Sequence, residues 1–167
     1  MKPARDSGAA RLTIDCWKDP EVLLVTGFGS GFAPRAPGTW GSLVALLIWW
    51  LWLAGLPWPA QLAVIVVTLL VGTWLVGRVG RRYGVGDDPG IVVDEFVGLW
   101  LALLAAPHAL LPALLGFALF RLFDIWKPGP VRFAERKTPG ALGVMLDDVV
   151  AGGLAAGVLQ VSLRLID

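Results

Sequence analysis

Four long stretches of this chain contain no Asp, Glu, Lys or Arg, and they limit the possible folds more than any other feature. They span residues 43–60, 61–77, 96–120 and 149–163. A helix rises about 1.5 Å per residue, so a helix of about 15–18 residues is about 23–27 Å long and just crosses the hydrocarbon core of a bilayer. Only 16% of the residues are charged, against about 25% in soluble domains. The chain is therefore predicted to be a membrane protein.

Prolines and glycines divide these stretches into separate helices. Residues 55–59 contain turn residues that end the first helix and start the second. The third stretch is interrupted at Pro107 and Pro112, which predicts two short helices in place of one. The predicted fold is all-α, a polytopic helical membrane protein with about four to five short transmembrane helices. Residues 1–20 are charged and irregular, which predicts a cytosolic tail ahead of one helical membrane domain at 21–167.

The charged residues collect on one side of this five-helix arrangement. If the amino-terminal region, residues 78–93 and residues 124–148 share a side, that side and the adjoining helix ends hold 13 of the 14 Lys and Arg residues. Basic residues favour the cytoplasmic side, so this face is predicted to be cytoplasmic. Twelve of the 13 acids also lie there, although short outer loops would exclude acids in any case. A net charge of +1 argues against binding to nucleic acid.

A Gly- and Pro-rich loop precedes the first membrane helix. Its residues 27–42 read GFGSGFAPRAPGTWGS. Glycines allow a ligand to approach the backbone, and Thr39 and Ser42 offer hydroxyl and N–H groups to an anion at a helix start. The loop lacks the Lys-Ser/Thr of a nucleotide P-loop and the third glycine of a dinucleotide-binding motif. It is similar to a phosphate cradle; the alternative is a structural turn in which Ser42 caps the helix.

Acidic residues form pairs near two predicted helix starts. Asp94 and Glu95 follow Pro89, where a helix is predicted to begin. Asp147 and Asp148 are predicted to open the last helix. The helix dipole favours acids at such places, which is the structural alternative. Burial of two adjacent carboxylates, however, requires a cation or hydrogen-bond partners, and a magnesium ion would be one such cation.

A third charged group lies at the end of the fourth helix. Arg121, Asp124 and Lys127 are spaced to fall on one helical face, so a carboxylate would lie between two cations; the alternative is a surface ion-pair ladder. Carboxylates for magnesium, cations for phosphate and a Gly-rich turn together suit phosphoryl transfer. His108 is predicted on the outer side and Cys16 lies in the tail, which argues against phosphohistidine and cysteine intermediates. A water molecule activated by a metal ion therefore remains as the expected nucleophile.

Four ordered motifs between about residues 26 and 152 resemble those of a known family. They are G-x-G-x-x-P-x-x-P-G-T-x-G-S from Gly29, I-V-V-D-E-x-x-G from Ile91, F-R-x-F-D-x-x-K-P from Phe120 and G-V-M-x-D-D-x-x-A-G from Gly143. With these motifs the chain resembles phosphatidylglycerophosphatase A, a family of bacterial membrane enzymes. The resemblance implies a magnesium-dependent hydrolase that converts phosphatidylglycerophosphate into phosphatidylglycerol. It also implies an all-helical, multi-pass protein of the bacterial inner membrane whose active site faces the cytoplasm.

These motifs give each candidate residue an expected role. One or two Mg²⁺ ions are expected to be held or oriented by four carboxylates, Asp94, Asp124, Asp147 and Asp148. Glu95 is expected to be a further ligand or the base that deprotonates water. The expected catalytic residues are Glu95, Asp94, Asp124 and Lys127. The expected phosphate-binding residues are Arg35, Pro37, Gly38, Thr39, Ser42, Arg121 and Lys127.

Two other functions are compatible with the sequence. The same chemistry could act on another lipid phosphate, such as phosphatidate, because acyl-chain contacts are generic apolar surface. A non-enzymatic membrane protein, such as a small transporter or an assembly subunit, would tolerate loss of the acids. Transporters place polar sites near the bilayer midplane, and the absence of charge from these stretches weighs against transport. The expected partners are the phospholipid substrate and the membrane; the sequence predicts no oligomeric state.

Overall fold

The computed structural model describes residues 11–138 and 140–166, and every regular element within them is helical. Two short 3-10 helices, Ile14–Lys18 and Ser30–Phe32, lie on either side of the first α-helix. The α-helices are α1 (Pro20–Val25), α2 (Pro37–Ile48), α3 (Trp58–Tyr83), α4 (Val93–Ala102), α5 (Leu110–Trp126), α6 (Gly129–Lys137) and α7 (Ala141–Ile166). The prediction of an all-α fold is confirmed for the described residues.

Two helices, α3 and α7, are long and apolar enough to cross a membrane by length and composition. Helix α2 continues through a wider π-helical turn, Trp49–Leu53, to form a shorter apolar helix. The count of four to five transmembrane helices stays a prediction.

The predicted helix breaks are confirmed. A turn separates α2 and its π-helical extension from α3, with Pro57 directly before the first residue of α3. The third charge-free stretch forms α4 and α5, as its prolines predict. Pro107 lies in the connecting loop, and Pro112 lies in the first turn of α5, where the missing N–H would have no helical partner in any case.

Two predicted helix starts are wrong. Helix α4 begins at Val93 and not at Pro89, because the Asp88 carboxylate accepts the Gly90 N–H (2.8 Å) and holds this segment in a turn. Helix α7 begins at Ala141, so Asp147 and Asp148 lie inside the helix rather than at its start. The turn before α7 depends on Gly140, whose φ of +74° is accessible to glycine. Asp94 and Glu95 do lie in the first turn of α4.

Helix α3 extends six residues beyond the charge-free stretch that ends at residue 77. Ion pairs and a hydrogen bond connect its last turns to Asp19, which directly precedes α1, and to Glu21, which lies within α1. Arg78 pairs with Glu21 at 2.7 Å and Arg82 with Asp19 at 2.8 Å. The Tyr83 hydroxyl donates to Asp19 Oδ2 at 2.8 Å, and mainly through this hydrogen bond the pKa of Asp19 is lowered. Tertiary contacts therefore extend the helix beyond its apolar stretch.

Helix α4 is the central helix of the bundle. It packs against α2, α3, α5 and α7, and nearly all of its residues are buried. The Trp100 indole N–H donates to the Ala45 carbonyl of α2 at 2.9 Å. At the far end of α4, Gln61 accepts the backbone N–H of Ala105, and the His108 ring packs edge-on against Trp50. Because α4 is enclosed, polar groups in its first turn must be satisfied by its neighbours.

Candidate active site

A cavity of about 880 Å³ lies where α3 and α5 end and α2, α4 and α7 begin. All five acids expected to do chemistry reach it, although they come from three helices. The expected site residues that line the cavity are Pro37, Gly38, Asp94, Glu95, Asp124, Lys127, Asp147 and Asp148. The structure therefore brings together residues that are up to 111 positions apart in the printed sequence.

Two glycines set the distance between α4 and α7 beside this cavity. A Cβ atom added to Gly152 would collide with the backbone of Gly98, and one added to Gly98 would collide with the Phe120 ring. Asp94 and Asp148 each lie four residues before one of these glycines, so both are one helical turn nearer the cavity. The glycine contact thus places Asp94 and Asp148 next to each other.

Glu95 is buried and held by residues of two other helices. Arg121 of α5 donates to Glu95 Oε1 at 2.6 Å, and the Ser42 hydroxyl of α2 lies 2.8 Å from Oε2. A Cβ atom at Gly38 would collide with the Glu95 carboxylate, so only glycine fits there. Ser42 therefore does not cap α2; residue Ala36, with φ +49°, precedes that helix. Glu95 joins α2, α4 and α5 at the cavity.

Two further acids are neutralised by cations. Arg121 also pairs with Asp124 at 3.0 Å, and Lys127 Nζ pairs with Asp147 Oδ2 at 3.0 Å. Helix α5 ends at Trp126, and Lys127 adopts φ +47°. The prediction that Arg121, Asp124 and Lys127 share one helical face is therefore wrong for Lys127, which leaves the helix and pairs with an acid of α7.

Asp94 and Asp148 take part in no ion pair with any described residue. Asp94 Oδ1 accepts the Glu95 backbone N–H at 3.0 Å, and the Asp148 residue is 4% exposed. Within the described ranges, no three His, Cys, Asp or Glu side chains are arranged to hold one metal ion together. Asp94 and Asp148 are therefore two neighbouring carboxylates of the cavity that have no ion-pair partner among the described residues.

The expected phosphate loop reaches the cavity only in part. Pro37 and Gly38 line it, whereas Ser42 is connected to it through Glu95. Arg35 is exposed, and neither it nor Thr39 lines the cavity. One part of the loop instead packs on neighbouring backbone, because a Cβ atom at Gly31 would collide with the carbonyl of Gly90.

Sequence reasoning missed three charged cavity residues, Arg81, Asp87 and Asp88. Arg81 lies in the last turns of α3, beyond the charge-free stretch that predicted this helix, so its direction could not be inferred. A helix extended beyond Gly77 would have placed Arg81 on the same face as that glycine, four residues earlier. Asp88 binds backbone: its carboxylate accepts the N–H of Gly90 and, at 2.8 Å, the N–H of Leu12. The Asp-Pro-Gly sequence that contains it is a turn signal.

A family sequence model and two of the similar proteins carry the same family name. The family sequence model described as "Phosphatidylglycerophosphatase A" matches residues 23–163. The protein of that name from Escherichia coli K12 is 40% identical over 156 residues, which is 93% of this chain and 88% of that protein. The one from Haemophilus influenzae is 41% identical over 134 residues, covering 80% of this chain and 82% of that protein.

A differently named relative is equally similar. The protein named "Putative phosphatidylinositol-3-phosphatase" from Bacteroides thetaiotaomicron is 45% identical over 139 residues, covering 78% of this chain and 86% of that protein. No solved structure matches the chain. The family sequence model covers all the acids of the cavity, and the relatives align over most of the chain: it belongs to the phosphatidylglycerophosphatase A family.

Proposed function

We propose that this protein hydrolyses the terminal phosphate monoester of phosphatidylglycerophosphate, giving phosphatidylglycerol and inorganic phosphate. Membership of the family and the names of its relatives support this substrate. The observation that carries the chemistry is the meeting of five carboxylates and Lys127 in one cavity. Phosphoryl transfer depends mainly on positioning and on neutralising charge, and this cavity has groups for both.

Magnesium is the cofactor that best suits these donors. Carboxylate oxygens are hard ligands, and Mg²⁺ in proteins is commonly held by only one or two carboxylates together with water and phosphate oxygens. Asp94 and Asp148, which have no described cation partner, would hold it. Two carboxylates side by side, Asp148 buried and Asp94 partly buried, would otherwise repel each other at considerable cost. When bound, magnesium supplies positive charge that polarises the phosphate ester and makes a nearby water a better nucleophile.

The remaining polar groups of the cavity position the reacting groups and neutralise charge. Lys127 lines the cavity and offers its ammonium group to a phosphate oxygen while Asp147 fixes its position. Arg121 holds the carboxylates of Glu95 and Asp124 in place. With both its oxygens bound by Arg121 and Ser42, Glu95 is better suited to orienting the site than to taking a proton from water. Gly38, in the first turn of α2, leaves room beside that helix for the Glu95 carboxylate.

The site is proposed to lie at the cytoplasmic surface of the bacterial inner membrane, with several helices crossing the bilayer. Support comes from the outer face of α3, where large apolar side chains including Val67, Leu70 and Trp74 are exposed. Soluble proteins rarely expose such continuous apolar surface. Exposed Trp58 and Trp74 lie about 24 Å apart along α3, close to the thickness of the hydrocarbon core, and tryptophans favour the two interfaces.

Phosphate release by the purified, detergent-solubilised protein tests this function. Phosphatidylglycerophosphate would be supplied in mixed micelles, with Mg²⁺ or with a chelator. We expect magnesium-dependent release of phosphate, lowered at least 100-fold in Asp94→Asn and in Asp148→Asn. Asp15→Asn, which removes an exposed acid outside the cavity, is the matched control and keeps wild-type activity. Absence of release by the folded wild-type protein would refute the proposal.

A second candidate is the hydrolysis of a different lipid phosphate monoester. The Bacteroides relative, whose name refers to an inositol lipid, favours testing it. The cavity chemistry would be the same, because the reacting group is a phosphate monoester in each case. Phosphatidylinositol 3-phosphate and phosphatidate should therefore be assayed beside phosphatidylglycerophosphate; the substrate with the highest kcat/KM identifies the activity.

A further inference from the structure

Arg81 is a cavity-lining cation that the proposed reaction does not yet use. It lies on α3, whereas the five acids expected to do chemistry come from α4, α5 and α7; its neighbours in the cavity lining include Val76, Gly77 and Gly80. It forms no ion pair or side-chain hydrogen bond with any described residue. Arg121 and Lys127, in contrast, each bind an acid. Arg81 is therefore available to a ligand.

The Arg81 side chain is directed along α3 towards the start of α7. Its Nη1 atom lies 3.4 Å from the position that a Cβ atom would occupy at Gly77, so the guanidinium group lies over that glycine. The same Gly77 position is 3.5 Å from the Cβ atom of Ala141, the first residue of α7. Arg81 thus lies at the wall of the cavity formed by α3 and α7, whereas the residues that hold Glu95 come from α2 and α5.

The proposed substrate carries a second anionic group besides the one that is hydrolysed. Phosphatidylglycerophosphate carries two phosphates, a terminal monoester that is hydrolysed and an internal phosphodiester that is retained. Phosphatidate carries only a monoester. If the monoester binds beside Asp94 and Asp148, the diester must lie elsewhere along the cavity. A guanidinium group, with several N–H donors and a permanent charge, suits a phosphodiester oxygen.

We propose that Arg81 binds the internal phosphodiester of the substrate and so selects phosphatidylglycerophosphate over lipids that carry a monoester alone. This subsite rests on the proposed function of the cavity. Because the diester is not altered in the reaction, its contact with Arg81 is the same in the bound substrate and in the transition state. Loss of such a contact raises KM and leaves kcat nearly unchanged.

Steady-state kinetics of Arg81→Gln test the subsite. We expect KM for phosphatidylglycerophosphate to rise about tenfold, equivalent to about 1.4 kcal/mol, with kcat within twofold of wild type. Arg81→Lys should recover much of the loss. Arg82→Gln is the matched control: it removes the neighbouring charge, which pairs with Asp19 outside the cavity, and is expected to leave both constants unchanged.

Inhibitors that resemble only one of the two phosphates test the diester site and the monoester site separately. Glycerophosphoglycerol carries only the diester, and inorganic phosphate resembles only the monoester. Arg81→Gln should weaken inhibition by glycerophosphoglycerol about tenfold and leave inhibition by inorganic phosphate unchanged. Equal weakening of both inhibitors, unchanged kinetics in Arg81→Gln, or a wild-type protein that glycerophosphoglycerol does not inhibit would each overturn the subsite. A wild-type protein inactive on every lipid phosphate would instead refute the function of the cavity.

Discussion

Gly98 of α4 and Gly152 of α7 meet backbone to backbone, so that neither position has room for a side chain. The contact lies one helical turn from Asp94 and Asp148. The distance between the Asp94 and Asp148 carboxylates therefore depends on glycine at both contact positions, which lie deeper in the helix bundle.

Gly152→Ala is expected to disrupt this contact. The added methyl group forces α4 and α7 apart, which should destabilise the protein by about 1–3 kcal/mol and lower phosphate release by about 100-fold through displacement of the acids. Thermal unfolding in detergent, followed by tryptophan fluorescence, and the phosphate-release assay check both effects. Gly153→Ala is the control, since its Cβ atom would meet nothing within 4 Å. Wild-type stability and activity in Gly152→Ala would contradict the positioning role.

The parts of this site that are predictable from sequence are local in origin. Charge-free stretches and the prolines that interrupt them are visible without any tertiary information, and they locate α2 to α5 and the face on which the acids gather. The pairing of Asp94 with Glu95, and of Asp147 with Asp148, is likewise visible as neighbouring letters. All four acids do line the cavity.

The parts that sequence did not predict depend on long-range contacts. The start of α4 is set by an Asp88 carboxylate that also binds Leu12, 76 residues away. The partner of Glu95 is Arg121, on another helix. Lys127 leaves the helical face on which its spacing placed it because α5 ends one residue earlier. Periodicity alone contains no information on these partners.

The buried Glu95–Arg121 pair should matter much more than an exposed one. Arg121→Gln leaves the buried Glu95 and the partly buried Asp124 without their cation, and is expected to destabilise the protein by about 3–5 kcal/mol. Arg78→Gln, which breaks the exposed pair with Glu21, should cost less than about 1 kcal/mol. Unfolding temperatures of both variants give the comparison. Similar values for the two would argue against a structural role for Arg121.

The Glu95→Gln variant tests whether Glu95 orients the site or takes a proton from the attacking water. The one amide oxygen of a glutamine can still accept a hydrogen bond from Arg121 or Ser42, and the side chain cannot take a proton from water. If Glu95 positions the site, this variant keeps activity within about tenfold of wild type, whereas loss of a general base commonly costs about 100- to 10,000-fold. Measurement of kcat at saturating substrate and Mg²⁺ distinguishes the two roles. A loss of 1,000-fold in a folded variant would identify Glu95 as the base.

Magnesium should stabilise the protein as well as activate it. An ion bound between Asp94 and Asp148 offsets the repulsion between these two carboxylates, and at 100 times its Kd it would add about 2.7 kcal/mol to the free energy of unfolding. The check is the unfolding temperature with Mg²⁺ and with a chelator. The shift should disappear in Asp148→Asn and persist in Asp15→Asn. A shift of equal size in both variants would place the bound ion elsewhere.

Asp88 is expected to hold the amino-terminal segment against the cavity. Its carboxylate accepts two backbone N–H groups, from Gly90 and Leu12, and is itself 7% exposed. Asp88→Ala leaves these buried donors unpaired, at a cost of about 1–3 kcal/mol each. The segment that contains Lys18 should then open more often, so tryptic cleavage there should accelerate by about 5- to 150-fold. Asp87→Ala, at an exposed neighbouring acid, should leave the cleavage rate unchanged; equal rates in the two variants would show that Asp88 does not hold the segment.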